Sequence, residues 1–368
     1  MTGPVRVALD LLGGDHAPDA VVAGALLAAA DPDVQITLVG PPDVAAAALT
    51  RAGADPDRLS VAAASQVVGM GEDPARGVRS KRDATVRVAA ALVRDGAADA
   101  MVSVGSTGAA MAAALFTLGR LPGITRPSLA VVIPAVAGPV VLLDVGATTE
   151  AGPDLLVQHA LAGAAYARVV GPTADPRIGL LSVGTEPGKG DAIRRDGGAA
   201  LAELDLSVGG PLRYVGLVEP AAVPLGGTGP GTADVVVTDG FTGNVLLKGL
   251  EAMLVAVTRS LAAAGLPTDD VAASTAAWSP EVQGGAVLLG VQGVVIVGHG
   301  SAGPATVAAA VRAAATAAQA DLVPRLRSEL EGLVARRRAA AGLPQRASEA
   351  GPEDAGRSAG QSDANGKA

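Results

Sequence analysis

In the segment ADVVVTDGFTGNVLLK, Ala233 to Lys248, a short apolar run is followed by Asp239, Gly240, Thr242, Gly243 and Asn244 before Val245 resumes the apolar pattern. This is a buried strand, a tight glycine turn and a helix start. Such a turn aims free backbone amides and the positive end of the helix dipole at an anion lying above a sheet. Its other reading is an ordinary connection in which Asp239 or Thr242 caps the helix. The pattern recurs. VSVGSTGA, from Val102, sets Gly105, Ser106, Thr107 and Gly108 between strand and helix, and RIGLLSVGTEPGKG, from Arg177, carries Lys189 in a glycine-rich loop. VRVALD ends at Asp10 ahead of Gly13, Gly14, Asp15 and His16, and GVVIVGHG ends near His299. Backbone donors, hydroxyls and a lysine at strand ends are chemistry for phosphate or a phosphorylated compound.

Other chemistries are disfavoured. No cysteine is present, which excludes disulfides, thiolate metal sites, a cysteine nucleophile and a covalent thioester on the enzyme. There is no G-x-x-x-x-G-K-[ST] loop and no clean G-x-G-x-x-G after the first strand, so P-loop and dinucleotide readings are weak. No G-x-S-x-G elbow follows an apolar strand, since Ser301 in GHGSAG lacks that spacing. A net charge of −8 with 1% aromatic residues argues against nucleic acid. Acids ending strands usually cap turns, so Asp10 and Asp239 are not taken as metal ligands, and no cofactor is expected.

The elements that must position these residues alternate as βαβ units, which implies helices on both faces of a mostly parallel sheet. SLAVVIPA and GPVVLLDVG are adjacent apolar runs, so the expected three-layer α/β/α fold has a mixed sheet. Strand ends at Asp10, Gly105, Asp144, Gly184, Asp239 and His299 are expected to gather in one crevice outside the carboxyl edge. Ala100–Gly119 and Val282–Val311 lack charges but are broken by glycines and hydroxyls, and read as strand, loop and helix rather than membrane spans. The 368 residues, 49% hydrophobic, suit a single catalytic domain over 1–343 with a helical segment at 249–283. The polar residues 344–368 are expected to be disordered. Nothing at the N-terminus resembles a secretory signal, and a cytoplasmic location is the expectation.

Taken together, DLLGGDHAP, VVGMGEDP, SKRD, VSVGSTGA, GRLPGITRPSLA, LLDVGA, RIGLLSVGTEPGKG, ADVVVTDGFTGNVLLK and GGAVLLGVQGVVIVGHGSAG occur in an order that resembles the bacterial phosphate acyltransferases called PlsX, from about Val5 to about Val311. The resemblance implies transfer of a long-chain acyl group from acyl carrier protein to inorganic phosphate, giving acyl phosphate for phospholipid synthesis. It implies a fold related to phosphotransacetylases and the isocitrate dehydrogenase-like group, a homodimer, and a link to a membrane glycerol-3-phosphate acyltransferase. Membrane association would be at most peripheral.

This reaction needs no activated side chain, because phosphate is a nucleophile and thiolate a fair leaving group, so positioning and charge stabilisation dominate. Lys189, with the amides after Gly105 and Gly240, is expected to hold phosphate, aided by Asp10, Ser106, Thr107, Gly108, Asp239 and Gly243. His16 is a candidate to protonate the departing sulfur or orient phosphate. Asn244 would contact phosphate or the acyl oxygen, or cap its helix, and His299 is either at the edge of the site or a cap. A negatively charged carrier protein requires a local positive patch on an acidic enzyme; Arg76, Arg79, Lys81, Arg82 and Arg87 supply one, unless they form a merely solvated face. Ser106, Thr148, Pro220 and Asp191 depart from the family's usual residues, and phosphate contacts or acyl preference are expected to differ there. A phosphotransacetylase-like enzyme and a non-catalytic scaffold are the rival readings.

Overall fold

The computed structural model describes residues 3–171, 174–205, 212–227, 229–278 and 284–340. The tail at 344–368 and residues 279–283 of the expected helical segment lie outside them.

The described strands form one 11-stranded sheet in the order β3-β2-β1-β4-β11-β10-β5-β6-β9-β7-β8. They are β1 Val5–Asp10, β2 Val34–Gly40, β3 Ser60–Ala63, β4 Ala100–Ser103, β5 Ser128–Ile133, β6 Val140–Leu143, β7 Arg177–Leu181, β8 Arg213–Val218, β9 Val235–Val237, β10 Ala286–Leu289 and β11 Val294–Val297. Alternate residues of one strand feed opposite faces: Val5, Val7 and Leu9 enter one apolar core while Ala8 enters the other, and Leu142 and Leu143 divide likewise. Helices Asp19–Ala28, Pro153–Val170 and Pro304–Gln319 cover the first face, and Thr85–Arg94 with Thr107–Thr117 the second. The expected three layers and mixed sheet are present.

Strand direction corrects the expectation of one crevice. β3, β2, β1, β4 and β11 run parallel, then β10 reverses, β5 reverses again, and β6 reverses once more before β9, β7 and β8 follow it in parallel. The ends carrying Asp10, Gly105 and His299 therefore lie at one edge of the sheet, and those carrying Asp144, Gly184 and Asp239 at the other. Three antiparallel pairings at the centre, invisible in a local pattern of strand and turn, produce this division.

The helical segment expected at 249–283 begins earlier, with a helix Gly240–Ala263, followed by Thr268–Thr275 and a single 3₁₀ turn, Ala276–Trp278. No described helix is long and apolar enough to cross a membrane.

Candidate active site

A cavity of about 460 Å³ lies over the antiparallel centre of the sheet and draws residues from both halves. Its floor is apolar: Leu129 and Val131 of β5, Ala286 of β10, Val297 of β11, and Val145 after β6. Gly105 and Thr107 form one wall, Asn244, Leu247, Lys248 and Glu251 another, and Asp15, His299 and Ser301 a third. An apolar floor with a few convergent polar groups is the usual make-up of a small-molecule site.

At the first wall, helix Thr107–Thr117 begins behind Ser106, whose Oγ accepts the Ala109 amide at 3.3 Å. Serine and asparagine cap about equally well, so this departure preserves the helix start. The amides of Thr107 and Gly108 have no hydrogen-bond partner among the described residues. Helix dipole and unpaired donors together suit an anion there. Gly108 itself is a packing position: a Cβ there would meet the Pro74 ring at 2.5 Å.

The start of helix Gly240–Ala263 is occupied differently from the expectation. Gly240 N donates to Thr148 O at 2.8 Å, Thr242 N to Asp239 Oδ1 at 2.8 Å and Gly243 N to Asp239 O at 2.9 Å. These amides are spent on docking the helix, and Asp239 is a cap rather than a substrate ligand. Burial alone would raise the Asp239 carboxyl, but Thr242 and the Arg194 guanidinium together hold it below the usual range. Arg194 is itself buried; it pairs with Asp239 and with Asp191 at 2.9 Å, and donates to Thr238 Oγ1 at 3.0 Å and Thr242 Oγ1 at 3.1 Å. The two glycines permit the approach. A Cβ on Gly240 would lie 2.6 Å from Thr148 O, and one on Gly243 only 1.9 Å from Asp144 O. Asn244 then reaches across, Nδ2 donating to Val145 O at 2.8 Å, and lines the cavity.

The loop so gripped is organised by Asp144. Its fully buried carboxylate accepts the amides of Leu129, Gly146, Ala147 and Thr148 at 2.7–3.0 Å. Thr148 thus contributes main-chain atoms, and its departure from asparagine alters a buried side chain rather than a lining one. Beneath lies His159, 1% exposed, with both ring nitrogens unpartnered. Burial lowers its pKa despite the attraction of Asp144. A neutral buried histidine must charge on unfolding, so its stabilising effect is complete above the unfolded value of about 6.5 and is lost as pH falls below it. The slope of stability against pH approaches about 1.4 kcal/mol per pH unit. Denaturant titrations between pH 7 and 5 should show a steeper acid loss in the wild type than in His159→Leu; equal slopes would contradict this.

The remaining expected residues fall outside the cavity. Asp10 is buried below the glycine loops, accepting Ser103 Oγ at 2.7 Å and Leu12 N at 3.3 Å. Burial raises its pKa, partly offset by these donors. It shares a smaller pocket of about 220 Å³ with Ser106 and Gly105. His16 and Lys189 are exposed, neither lines the cavity, and Lys189 belongs to the loop after β7 at the opposite sheet edge. Of the basic run, Lys81 Nζ is tied to Glu72 at 2.5 Å and Val67 O at 2.7 Å, and Arg87 donates to Val78 O at 3.0 Å. These two are structural. Arg76, Arg79 and Arg82 are exposed, with Arg79 stacked 4.5 Å over the Phe116 ring. Pro220 is exposed and away from the cavity, and Asp191 caps the next helix through Arg194 N at 2.9 Å.

Two lining residues were underweighted in the sequence. Lys248 stands four residues after Asn244, hence on the same helix face, and makes no hydrogen bond or ion pair with a described residue. That spacing was the available signal. His299, not His16, is the histidine in the cavity wall.

Comparison with known proteins identifies the family and the fold. A family model described as fatty acid synthesis protein matches residues 5–325. The phosphate acyltransferase of Desulfitobacterium hafniense strain Y51 is 39% identical over 337 residues, 89% of this chain and 97% of that protein. That of Heliobacterium modesticaldum is 40% identical over 343 residues, 90% and 99% respectively. Among solved structures, a phosphotransacetylase from Streptococcus pyogenes superposes with a TM-score of 0.59 at 19% identity, covering 86% of this chain and 94% of that one. A branched-chain phosphotransacylase from Enterococcus faecalis gives 0.53 at 14%, covering 88% and 99%. The fold is thus that of the phosphotransacetylases, and the chain belongs to the phosphate acyltransferase family.

Proposed function

We propose that this protein transfers a long-chain acyl group from acyl carrier protein to inorganic phosphate, yielding acyl phosphate for phosphatidic acid and phospholipid synthesis. The observation that carries this is the cavity itself, in which unpaired amides and a lysine stand beside an apolar floor. Phosphate would sit against Thr107 N and Gly108 N, with Lys248 and Asn244 facing it across the cavity. The acyl chain would run over Leu129, Val131 and Val145. Each buried methylene contributes about 0.8 kcal/mol, so such a floor favours long chains over acetyl. Attack by a phosphate oxygen on the thioester carbon expels thiolate, and the protein's task is orientation and charge stabilisation.

Arg76 and Arg79 lie on helix Pro74–Ser80 and Arg82 just beyond its end; this helix packs through Pro74 on the helix that begins at Thr107. A carrier docked on these arginines would lie beside the cavity. The double variant Arg76→Glu/Arg82→Glu should raise KM for palmitoyl acyl carrier protein by about tenfold, and leave palmitoyl-coenzyme A unaffected; equal losses on both donors would remove the docking role. Helix Gly240–Ala263 leaves Phe241, Val245, Met253, Val255 and Val257 exposed, which supports association of two copies. The acyl phosphate would pass to a membrane glycerol-3-phosphate acyltransferase.

The function is tested by comparing donors at saturating phosphate. Thiol release from palmitoyl acyl carrier protein, with little from acetyl-coenzyme A, is expected; turnover of acetyl-coenzyme A alone would reassign the enzyme as a phosphotransacetylase.

A further inference from the structure

The turn after β11 carries a histidine whose tautomer is set by its own backbone. His299 Nδ1 lies 3.3 Å from the Ser301 amide, which donates to it, and 2.8 Å from Ser301 Oγ. A backbone N–H cannot accept, so Nδ1 must be the acceptor and the ring proton resides on Nε2. The turn is held in place: Ala302 N donates to His299 O at 2.9 Å, and Asp15 N to Gly300 O at 2.7 Å. The ring lines the same cavity as Thr107, Asn244 and Lys248, and Nε2 has no partner among the described residues.

We propose that His299 is a catalytic residue that donates its Nε2–H to the thioester carbonyl oxygen and stabilises the oxyanion formed when phosphate attacks. This rests on the acyl-transfer reading above. A phosphate oxygen forms a bond to the carbonyl carbon, and the C=O π pair moves onto oxygen, where Nε2–H meets it. The pair then returns, the C–S bond breaks, and sulfur leaves with its electrons as thiolate. The imidazole keeps its proton throughout. A neutral histidine acting as electrophile in this way is chemically precedented, and it gains strength as bound acyl chain excludes water. Ser301 is a positioning residue that acts through the ring.

The test compares His299→Leu, His299→Gln and Ser301→Ala with the wild type in phosphate-dependent thiol release from palmitoyl acyl carrier protein. Thermal melts establish that each variant is folded. His299→Leu should lower kcat by about 100- to 1,000-fold with KM for phosphate nearly unchanged, the usual effect of losing one oxyanion donor. Glutamine offers an N–H near the Nε2 position and should recover at least about tenfold of that loss. Ser301→Ala retains the backbone donor to Nδ1 and should cost only a few-fold. If leucine and glutamine variants are equally impaired, or both match the wild type, the oxyanion role is wrong. A rise in KM for phosphate with unchanged kcat would make His299 a phosphate ligand and overturn it as well. Should the wild type release no thiol with phosphate, the acyl-transfer reading itself fails, and this assignment with it.

Discussion

Replacing Arg194 with methionine should destabilise the protein by about 3–5 kcal/mol, because it leaves the buried Asp239 carboxylate without its counter-ion. The fall in melting temperature should be on the order of 10 °C. Arg194 joins the helix that starts at Ala192 to the strand end at Thr238 and the helix start at Thr242, so its loss also loosens the segment that presents Asn244 and Lys248. A second substitution, Asp239→Asn, removes the stranded charge and should recover a large part of the loss. The two changes are therefore strongly non-additive. Denaturant melts of both singles and the double measure this coupling directly. A small, additive pair of effects would show that the ion pair is not what holds this turn.

The second large effect is on catalysis alone. Lys248 is exposed and unpaired among the described residues, so Lys248→Ala should leave stability within about 0.5 kcal/mol of the wild type. Yet kcat/KM for phosphate should fall about 100- to 1,000-fold, since the lysine lines the cavity proposed to hold the anion. Lys189→Ala measured beside it discriminates between two sites. An equal or larger loss there would locate phosphate at the Gly184–Gly190 loop instead of the cavity.

How much of this was legible in the chain depended on whether the signal was local. Strand–turn–helix units around Asp10, Gly105 and Asp239 announced themselves, because an apolar run stops at glycine and a capping residue follows. The helix Pro153–Val170 carries equally local signals, with Pro at its first turn and Gly at its end. β10 did not, being four apolar residues inside a long charge-free stretch where periodicity cannot separate strand from helix. β3, SVAA, is a short alanine-rich edge strand with little β-type signal of its own.

The site was half legible for the same reason. Thr107 and Asn244 were identified from turn chemistry and do line the cavity. Which strand ends meet is set by the antiparallel pairings of β10, β5 and β6, a long-range property. Lys189, after β7, was therefore grouped with Gly105 although the two lie at opposite sheet edges, while His16, next to the lining residue Asp15, stays just outside the cavity and His299 was left undecided. Likewise, a glycine turn at a helix start can bind an anion or let backbones touch. At Gly105 the amides beyond it stay unpaired, whereas at Gly240 the space is filled by Thr148 O and Asp144.

The most direct test of the central claim is the product stoichiometry of purified protein given palmitoyl acyl carrier protein and phosphate. Palmitoyl phosphate can be trapped with hydroxylamine as the hydroxamate and compared with thiol released. One acyl phosphate per thiol, with a rate that saturates in phosphate, is the predicted result. Thiol release that yields free fatty acid whether or not phosphate is present would contradict it, because water rather than phosphate would then be the acceptor in the cavity.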